Sequence, residues 1–516
     1  MEKIGPDNFD RLSIEHLPNV RIIPSTGLPS NTPYLTLSHR WGNPPSLLLA
    51  KKKKFLLHED ISPHLLNCSE AVVFRHAVHV TRSLGFRYIW IDALCIMQDD
   101  EQEKTADIMQ MDEVYSNSSL NISAAEGRVR EGLDLDRNTL YINPHRAKVR
   151  HPITQDDIHL QAFRGNSFLG PREAPLNKRG WVYQERILAP RVVHFTQDQV
   201  FWECSSLEAS EVLPQGISRW PRKHFTKGIM DPSVTSMQQI KSRWFNIVED
   251  YSHTSLTFTD DRLLAISAVA KKFCSALQRE PSDYLAGMWK DDLPLSMLWM
   301  QHSQPDTDML EPTAAAEMNH APSWSWASIL GPIISVELSS LTASAEVLNV
   351  QAVRMSPNIF DGTESCRLRL RGHVCKFCRC TQNGARWINV AQHTEFQEIS
   401  DFEFQKGRTI VIDWDTSRKM ADEWLQTPEI GLASFEYFLL HLASEKSVDG
   451  AIERGIVLRK TNVRGTFSRI GSFFTPPQSE YSGSKLEAAF TGRLATLSTD
   501  DYFDLDFNGK YIVEVV

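Results

Sequence analysis

The chain has 516 residues, which is more than one hydrophobic core ordinarily organises, and this length indicates two or three domains. A hydrophobic content of 41% excludes a disordered chain, and the net charge of -9 gives no general basis for binding nucleic acid or an anionic membrane. The N-terminus MEKIGPDNFDRL lacks a signal-sequence pattern, no run of 18 apolar residues is present, and the eight cysteines are too scattered for a disulfide framework. We therefore predict a cytoplasmic protein; the lysine run 51–54 raises a nuclear location as an alternative, although such a run is more often a solvated surface.

The first part of the chain alternates strand and helix patterns. In chain order these are a strand at YLTLS (34–38), a helix in SEAVVFRHAVHVTRSLG (69–85), a strand at YIWIDALCI (88–96), a helix in EKTADIMQMDEVYSNS (103–118) and a strand at LNISAA (120–125). In the first helix Val73, Ala77, Val80 and Leu84 share one face, and Gly85 is placed to end it. In the second helix Ile108, Met111 and Tyr115 share a face. The apolar run YIWI (88–91) is expected of a parallel strand covered on both faces. The βαβαβ order predicts a mostly parallel sheet with flanking helices, whose ligands bind beyond the carboxyl ends of the strands.

Polar residues are concentrated where these strands end. The segments concerned are SHRWG (38–42), DALCIMQDD (92–100) and AEG (125–127). Because the carboxyl ends of parallel strands lie at the same edge of a sheet, we expect these segments to line one cleft.

An irregular, charged insertion with weak strand signals occupies residues 128–176. It ends at GWVYQERIL, which predicts a short helix with Trp181, Glu185 and Leu188 on one face. RVVHF and QVFWEC then predict a hairpin.

Beyond residue 205 the pattern changes. Helical spacing dominates 234–300, and strand patterns such as CRLRLRG, RTIVIDW, GIVLRK and KYIVEVV dominate the end of the chain. The predicted organisation is an N-terminal extension (1–33), an α/β domain (34–205), a helical region (206–321) and a β-rich domain (322–516). In PSWSWAS (322–328), two tryptophans on one side of a strand suit a core wedge against the first domain or an aromatic wall for a ligand, and we favour the wedge.

One cysteine cluster partly resembles a metal site. GHVCKFCRC contains His373, Cys375, Cys378 and Cys380, but no second pair completes a tetrahedral set and the surrounding residues alternate as in a strand. We therefore predict no metal.

Several segments together resemble a known family. They are YLTLSHRWG, FRYIWIDALCIMQDD, EKTADIMQMDEVYSNSSLNISAA and GWVYQERILAPRVVHFTQDQVFWEC. In content and order they resemble the fungal heterokaryon incompatibility (HET) domain over residues 34 to 204. DRLLAISAVAKKF, DYLAGMWKDDLPLSMLWM and APSWSWAS resemble the companion region of long members, whereas His39 stands where the family more often has an aromatic such as tyrosine.

The resemblance implies a fold and a chemistry. HET domains are thought to be related to Toll/interleukin-1 receptor (TIR) domains, which have a flavodoxin-like fold and in some members cleave NAD at its nicotinamide bond. Ser38, Arg40 and Gly42 are similar to the end of the first TIR strand, and Trp181 with Glu185 is similar to the TIR tryptophan and catalytic glutamate. The implied role is fungal self/non-self recognition and programmed cell death, with self-association or a partner protein.

If the resemblance extends to activity, NAD is a substrate and no cofactor is required. Glu185 would stabilise the cationic ribose, while Ser38, Arg40, Trp41, Asp92, Asp99 and Trp181 would contact the nucleotide. No glycine-rich phosphate fingerprint is present.

Two other classes of function stay open. One is a non-catalytic, self-associating signalling module, in which Glu185 forms only a surface ion pair and Asp99 and Asp100 cap a helix. The other is an acyl-transfer or hydrolytic enzyme with Cys95 as nucleophile and His39 as base, although a buried cysteine is commonly a small hydrophobe.

Overall fold

The computed structural model describes most of the chain. The described residues are 19–41, 59–68, 71–126, 132–133, 145–162, 171–217, 243–301, 321–354, 358–382, 385–390, 411–414, 437–447, 450–475 and 497–516. The chain divides into two compact units, Met1–Ser236 and Met237–Val516. The finer domain bounds stay predictions, and the lysine run 51–54 lies outside the described residues.

The first unit contains eight strands and six α-helices within the described residues. The strands are β1 (Tyr34–Ser38), β2 (Tyr88–Ile91), β3 (Leu120–Ala124), β4 (His145–Arg150), β5 (Asp157–Ala162), β6 (Arg191–Phe195), β7 (Val200–Cys204) and β8 (Glu208–Ser210). The helices are α1 (Ser62–Asn67), α2 (Val72–Ser83), α3 (Asp92–Cys95), α4 (Glu101–Ile108), α5 (Met111–Ser116) and α6 (Gly180–Leu188).

A six-stranded sheet organises this unit, in the order β2-β1-β3-β6-β7-β8. The pairs β1 with β2, β1 with β3 and β3 with β6 are parallel, and β7 and β8 extend the sheet antiparallel. The predicted mostly parallel sheet is confirmed, whereas a flavodoxin or TIR arrangement stays a prediction. β4 and β5 form a separate hairpin inside the predicted insertion.

Burial along the strands follows their position in the sheet. Every residue of β3 is buried, as expected for a strand covered on both faces. In β2, which consists of the apolar run YIWI, only Ile91 is buried. The reason is that β2 lies at the end of the sheet order, so it has one neighbouring strand.

The helix α2 confirms the predicted apolar face. Val73, Ala77 and Val80 are buried, and Gly85 ends the helix with φ +78, a left-handed conformation that favours glycine. Leu84, which was predicted on the same face, is exposed because the helix ends at Ser83.

Two predicted elements are wrong in detail. The strand predicted over 88–96 ends at Ile91, because the Asp92 carboxylate accepts the Ala93 N–H at 2.7 Å and opens the helical turn α3. Cys95 therefore lies in a helical turn, and the alternation of side chains along a strand does not determine the direction of its side chain. The helix predicted over 103–118 is two helices, α4 and α5, and only α5 buries its apolar side chains, Met111 and Tyr115.

The second unit contains two α-helices and fifteen strands within its described residues. The helices are α7 (Trp244–Ser252) and α8 (Leu264–Ala276). The strands are β9 (Tyr284–Leu285), β10 (Met288–Trp289), β11 (Met300–Gln301), β12 (Ile333–Ile334), β13 (Leu341–Ala343), β14 (Glu346–Arg354), β15 (Thr363–Gly372), β16 (Val374–Gln382), β17 (Ala385–Val390), β18 (Val411–Trp414), β19 (Tyr437–Ser447), β20 (Gly450–Lys460), β21 (Thr466–Phe474), β22 (Asp504–Leu505) and β23 (Tyr511–Val515).

The predicted strand-rich C-terminal region is confirmed by an 11-stranded sheet. Its alternation is clear in β15, where Leu368 and Leu370 are buried between arginines. The last helix of the pattern predicted to 300 ends at Ala276, and Gln278, two residues further on, has a positive φ that a helix does not continue through. Ala286 and Gly287 also have positive φ and turn the chain from β9 into β10.

The two tryptophans of PSWSWAS lie in the core of the second unit. Trp324 and Trp326 are fully buried, the Trp326 indole donates to the Gly287 carbonyl at 2.9 Å, and Trp324 accepts from Trp299 at 3.1 Å. The predicted strand is wrong, since Trp326 begins a 3₁₀ turn. Full burial excludes an open aromatic wall for a ligand.

The cysteine cluster lies on a strand, as predicted. Cys375, in β16, is fully buried, and burial raises the pKa of its thiol to about 12. The side chains of Cys378 and Cys380 lie outside the described part of the chain, and within that part no group of three or more His, Cys, Asp or Glu residues is arranged to hold a metal.

Candidate functional site

Three of the segments singled out in the sequence meet at the carboxyl ends of β1 and β2. Ser38 ends β1, and its hydroxyl donates to the carboxylate of Glu185 on α6 at 2.5 Å. The Trp41 indole donates to the carboxylate of Asp92, directly after β2, at 2.9 Å. The parallel sheet thus brings residues 38–41 of SHRWG, the start of DALCIMQDD and GWVYQE together, and Gly42 lies outside the described residues.

Glu185 is the most perturbed carboxyl of this group. It is 7% exposed, and its Oε2 accepts from Ser38 and from the Tyr115 hydroxyl at 3.0 Å. Burial, followed by the charge of Asp92, raises its pKa to about 7, although the two hydroxyl donors and Arg179 oppose the rise. At neutral pH this group therefore exists in both protonation states.

Asp92 is the more accessible carboxylate of the pair. Its side chain is 22% exposed, Trp41 and the Ala93 N–H donate to it, and Nδ1 of His39 lies 3.5 Å from its Oδ1. The same site therefore holds one buried and one partly exposed carboxyl group.

His39 is enclosed rather than open to solvent. Its ring packs edge-on against Phe74 with centroids 5.0 Å apart, and its main-chain carbonyl accepts from Arg179 at 3.4 Å. Burial lowers the pKa of the imidazole, which Asp92 only partly offsets. At neutral pH the ring is neutral.

The thiol of Cys95 is not activated. It accepts the Ile91 N–H at 3.5 Å, and burial raises the pKa of the thiol to about 11. A thiol with that pKa is protonated at neutral pH and is a poor nucleophile. Cys95 and His39 are both described residues, and no hydrogen bond or ion pair joins them in the structure.

The remaining candidates differ in exposure. Arg40 is exposed immediately beyond Ser38, Trp181 is half-buried in the first turn of α6, and Asp99 is exposed before α4. Asp100 caps α4, accepting the N–H groups of Gln102 at 3.1 Å and Glu103 at 3.2 Å. The capping interpretation is thus confirmed for Asp100, with the helix beginning at Glu101.

Comparison with known proteins gives one match. Residues 34–185 match the family described as heterokaryon incompatibility protein (HET). This segment is a HET domain. The match begins at the first residue of β1 and ends at Glu185. No curated protein and no solved structure matches the chain.

The HET domain has two site residues that sequence reasoning did not assign. Tyr115 was interpreted only as part of an apolar helix face, yet its hydroxyl contacts Glu185. Asn121 lies in β3, and its amide donates to Ser38 at 2.9 Å. A polar asparagine inside a fully buried strand is a signal in the sequence, because such a group requires hydrogen-bond partners.

A second buried charged cluster adjoins α6. Arg186, the neighbour of Glu185, donates to Glu203 on β7 with Nε at 2.8 Å and with Nη2, and His194 on β6 lies 3.0 Å from the same carboxylate. The charge of Arg186 and the contacts with His194 hold the pKa of Glu203 well below its usual range despite burial. The pair fastens α6 to the β6–β7 hairpin.

The raised pKa of Glu185 predicts a stability effect with a definite sign. A carboxyl whose pKa rises from 4.5 to about 7 on folding favours the folded state below pH 4.5, and that contribution is lost as pH rises through 7. Glu185→Gln should therefore raise the free energy of unfolding at pH 8 by about 1–3 kcal/mol.

The measurement is denaturant unfolding followed by hydrogen exchange in Gly180–Leu188, which reports this unit separately. The difference between variant and parent should vanish near pH 4. A parent protein that is more stable than the variant at pH 8 would contradict the assignment.

Within the described residues, no helix combines the length and apolar composition needed to cross a membrane.

Proposed function

We propose that the HET domain hydrolyses the nicotinamide–ribose bond of NAD, with Glu185 stabilising the cationic ribose. The observation that carries this proposal is a buried carboxyl with a pKa of about 7, held by two hydroxyl donors where parallel strands end. Ligands of open α/β sheets bind at such strand ends, and perturbed carboxyl groups are concentrated at functional sites.

The chemistry requires little acid catalysis. When the C–N bond breaks, its electron pair goes to the nicotinamide nitrogen, so the cationic ring leaves as a neutral molecule. Water then adds to the ribose carbon and releases one proton, which gives ADP-ribose. Between these two steps the ribose carries positive charge, and the negative charge of the Glu185 carboxylate stabilises it electrostatically.

The neighbouring residues suit the rest of the nucleotide. Arg40 is exposed beside the strand end and has the bidentate geometry that pyrophosphate oxygens accept. Trp181 is half-buried and offers an aromatic face for a base. Asp92, with its Trp41 partner, is partly open to solvent and is placed to accept from a ribose hydroxyl. Asp99, in the segment between α3 and α4, would provide a further polar contact with the nucleotide.

The proposed biological role is supported by the family match. A heterokaryon incompatibility-type protein is supported by the match over 34–185, and we propose that its output is cell death in self/non-self recognition. Self-association of this chain, or a partner protein, would control that output.

The deciding experiment incubates purified protein with NAD and measures released nicotinamide across pH. Because the carboxylate form is the active one, kcat should rise as pH increases through about 7 and then level off. A rate that falls over that range, or no release at any protein concentration, would reject the proposal.

One observation favours a non-catalytic signalling module instead. Glu185 is 7% exposed and its Oε2 is already occupied by Ser38 and Tyr115, as expected of a structural hydrogen-bond centre. In that case Glu185→Gln would leave cell-death signalling unchanged, and no nicotinamide would be released.

A further inference from the structure

A chain of hydrogen bonds connects Glu185 with the neighbouring strands β1 and β3. The Thr36 hydroxyl donates to Oδ1 of Asn121 at 3.0 Å, Nδ2 of Asn121 donates to Ser38 at 2.9 Å, and Ser38 donates to Glu185 at 2.5 Å. Thr36 and Ser38 both belong to β1, and Asn121 lies on the neighbouring strand β3. Ser38 and Asn121 are each 1% exposed and Thr36 is fully buried, so water does not compete for these groups.

The direction of the chain follows from the inventory of donors. Thr36 has one hydroxyl proton, and donating it to Oδ1 turns the NH₂ group of Asn121 towards Ser38. Ser38 also has one proton, which could go to Glu185 at 2.5 Å or back to Asn121 Oδ1 at 3.3 Å. The donated Asn121 N–H and the shorter distance both favour Glu185.

We propose that Asn121 is a positioning residue, which directs the single hydroxyl proton of Ser38 onto the carboxylate of Glu185. Its catalytic consequence rests on the proposed function, whereas its effect on Glu185 does not. Asn121 acts only through Ser38 and makes no contact with Glu185 itself among the described hydrogen bonds.

The other groups that face Glu185 come from separate elements. Tyr115 donates from α5, the charge of Asp92 acts from the end of β2, and the charge of Arg179 acts from the residue before α6. Asp92 and Arg179 do not belong to the Thr36–Asn121–Ser38 chain, whereas the Tyr115 hydroxyl also forms a hydrogen bond with Ser38. Comparing Asn121→Leu with Ser38→Ala therefore separates the contribution of Asn121 from that of Tyr115.

The test is a double-mutant cycle read by the titration of Glu185. The carboxyl carbon is observed by NMR in ¹³C-glutamate-labelled protein and assigned by its absence from Glu185→Gln. Ser38→Ala should raise the titration midpoint by roughly one pH unit, since it removes a hydrogen bond to the charged form. Asn121→Leu should raise it in the same direction, and Ser38→Ala with Asn121→Leu together should equal Ser38→Ala alone.

A matched control lies one step further along the chain. Thr36→Val keeps the shape of the side chain and the Asn121 amide but removes the donation that orients this amide, so the shift should have the same direction as that of Asn121→Leu and be smaller. If Asn121→Leu fails to fold, Asn121→Ala provides the same loss of the amide. An unchanged midpoint in Asn121→Leu, or shifts that add in the double variant, would overturn the proposal.

Catalysis provides a separate readout. If NAD is cleaved, the acid limb of nicotinamide release should move with the NMR midpoint in every variant. A shift by NMR without any NAD cleavage would leave Asn121 as the positioning residue and reject only the proposed reaction.

Discussion

Glu185→Gln should lower the turnover of NAD by about 10²–10³, which corresponds to ~3–4 kcal/mol of lost transition-state stabilisation. The amide keeps the size of the side chain and can still accept from Ser38 and Tyr115, but it has no negative charge to oppose the ribosyl cation. Since these contacts survive, the loss should appear in kcat rather than in folding. Nicotinamide release under saturating NAD measures it.

Cys95→Ser is the matched control for that variant. The thiol is protonated at neutral pH and accepts only a main-chain N–H, so the substitution should change turnover little. An inactive Cys95→Ser with a nearly normal Glu185→Gln would reject the carboxylate mechanism and favour the thiol enzyme. Normal cell-death signalling by both variants would favour the non-catalytic module.

The two outcomes at Glu185 are linked by one physical cause. Burial that raises the pKa of the carboxyl disfavours its charged form, so the group that catalysis needs is one that the fold tolerates poorly. Loss of activity combined with a gain in alkaline stability is the expected signature of such a site. A purely structural glutamate would lose stability instead.

The order of strands and helices in the first unit could be predicted from the sequence because its local signals are strong. YLTLS and LNISAA are segments of strand length in which apolar residues recur at every second position, and Gly85 supplies the left-handed residue that ends α2. The position of a strand within the sheet is a tertiary property. The apolar run at β2 therefore predicted a covered strand, whereas the topology places β2 at the end of the sheet with only Ile91 buried.

The candidate site could be predicted only in part. Ser38 and Glu185 are 147 residues apart, and only the family resemblance suggested that they belong to one site. The helical turn at Asp92 depends on its side chain accepting the N–H of the next residue, Ala93, which periodicity does not detect. Tyr115 was assigned to the core because a buried aromatic and a hydrogen-bond donor have the same helical spacing.

Glu203 should respond to substitution in the opposite way to Glu185. Its carboxylate is 5% exposed and is paired with Arg186, which is 12% exposed, and with the fully buried His194. Glu203→Gln would remove the charge that faces the largely buried guanidinium of Arg186, which is expected to cost about 3–5 kcal/mol of unfolding free energy. Because α6 is fastened to β7 through this pair, hydrogen exchange in 180–204 should accelerate.

Glu173→Gln provides the matched control. Glu173 pairs with Lys178 at 3.3 Å, but both side chains are more than half exposed, and such pairs contribute ~0–1 kcal/mol.

The low pKa of Glu203 determines how its effect on stability depends on pH. The stabilisation by the Glu203 carboxylate is present at neutral pH and is lost as pH falls below 4.5 through the folded pKa. The stability difference between Glu203→Gln and the parent should therefore be full at pH 7 and shrink in acid, whereas Glu185→Gln gains stability towards alkaline pH. Equal destabilisation by Glu203→Gln and Glu173→Gln would show that the buried pair does not hold α6 in place.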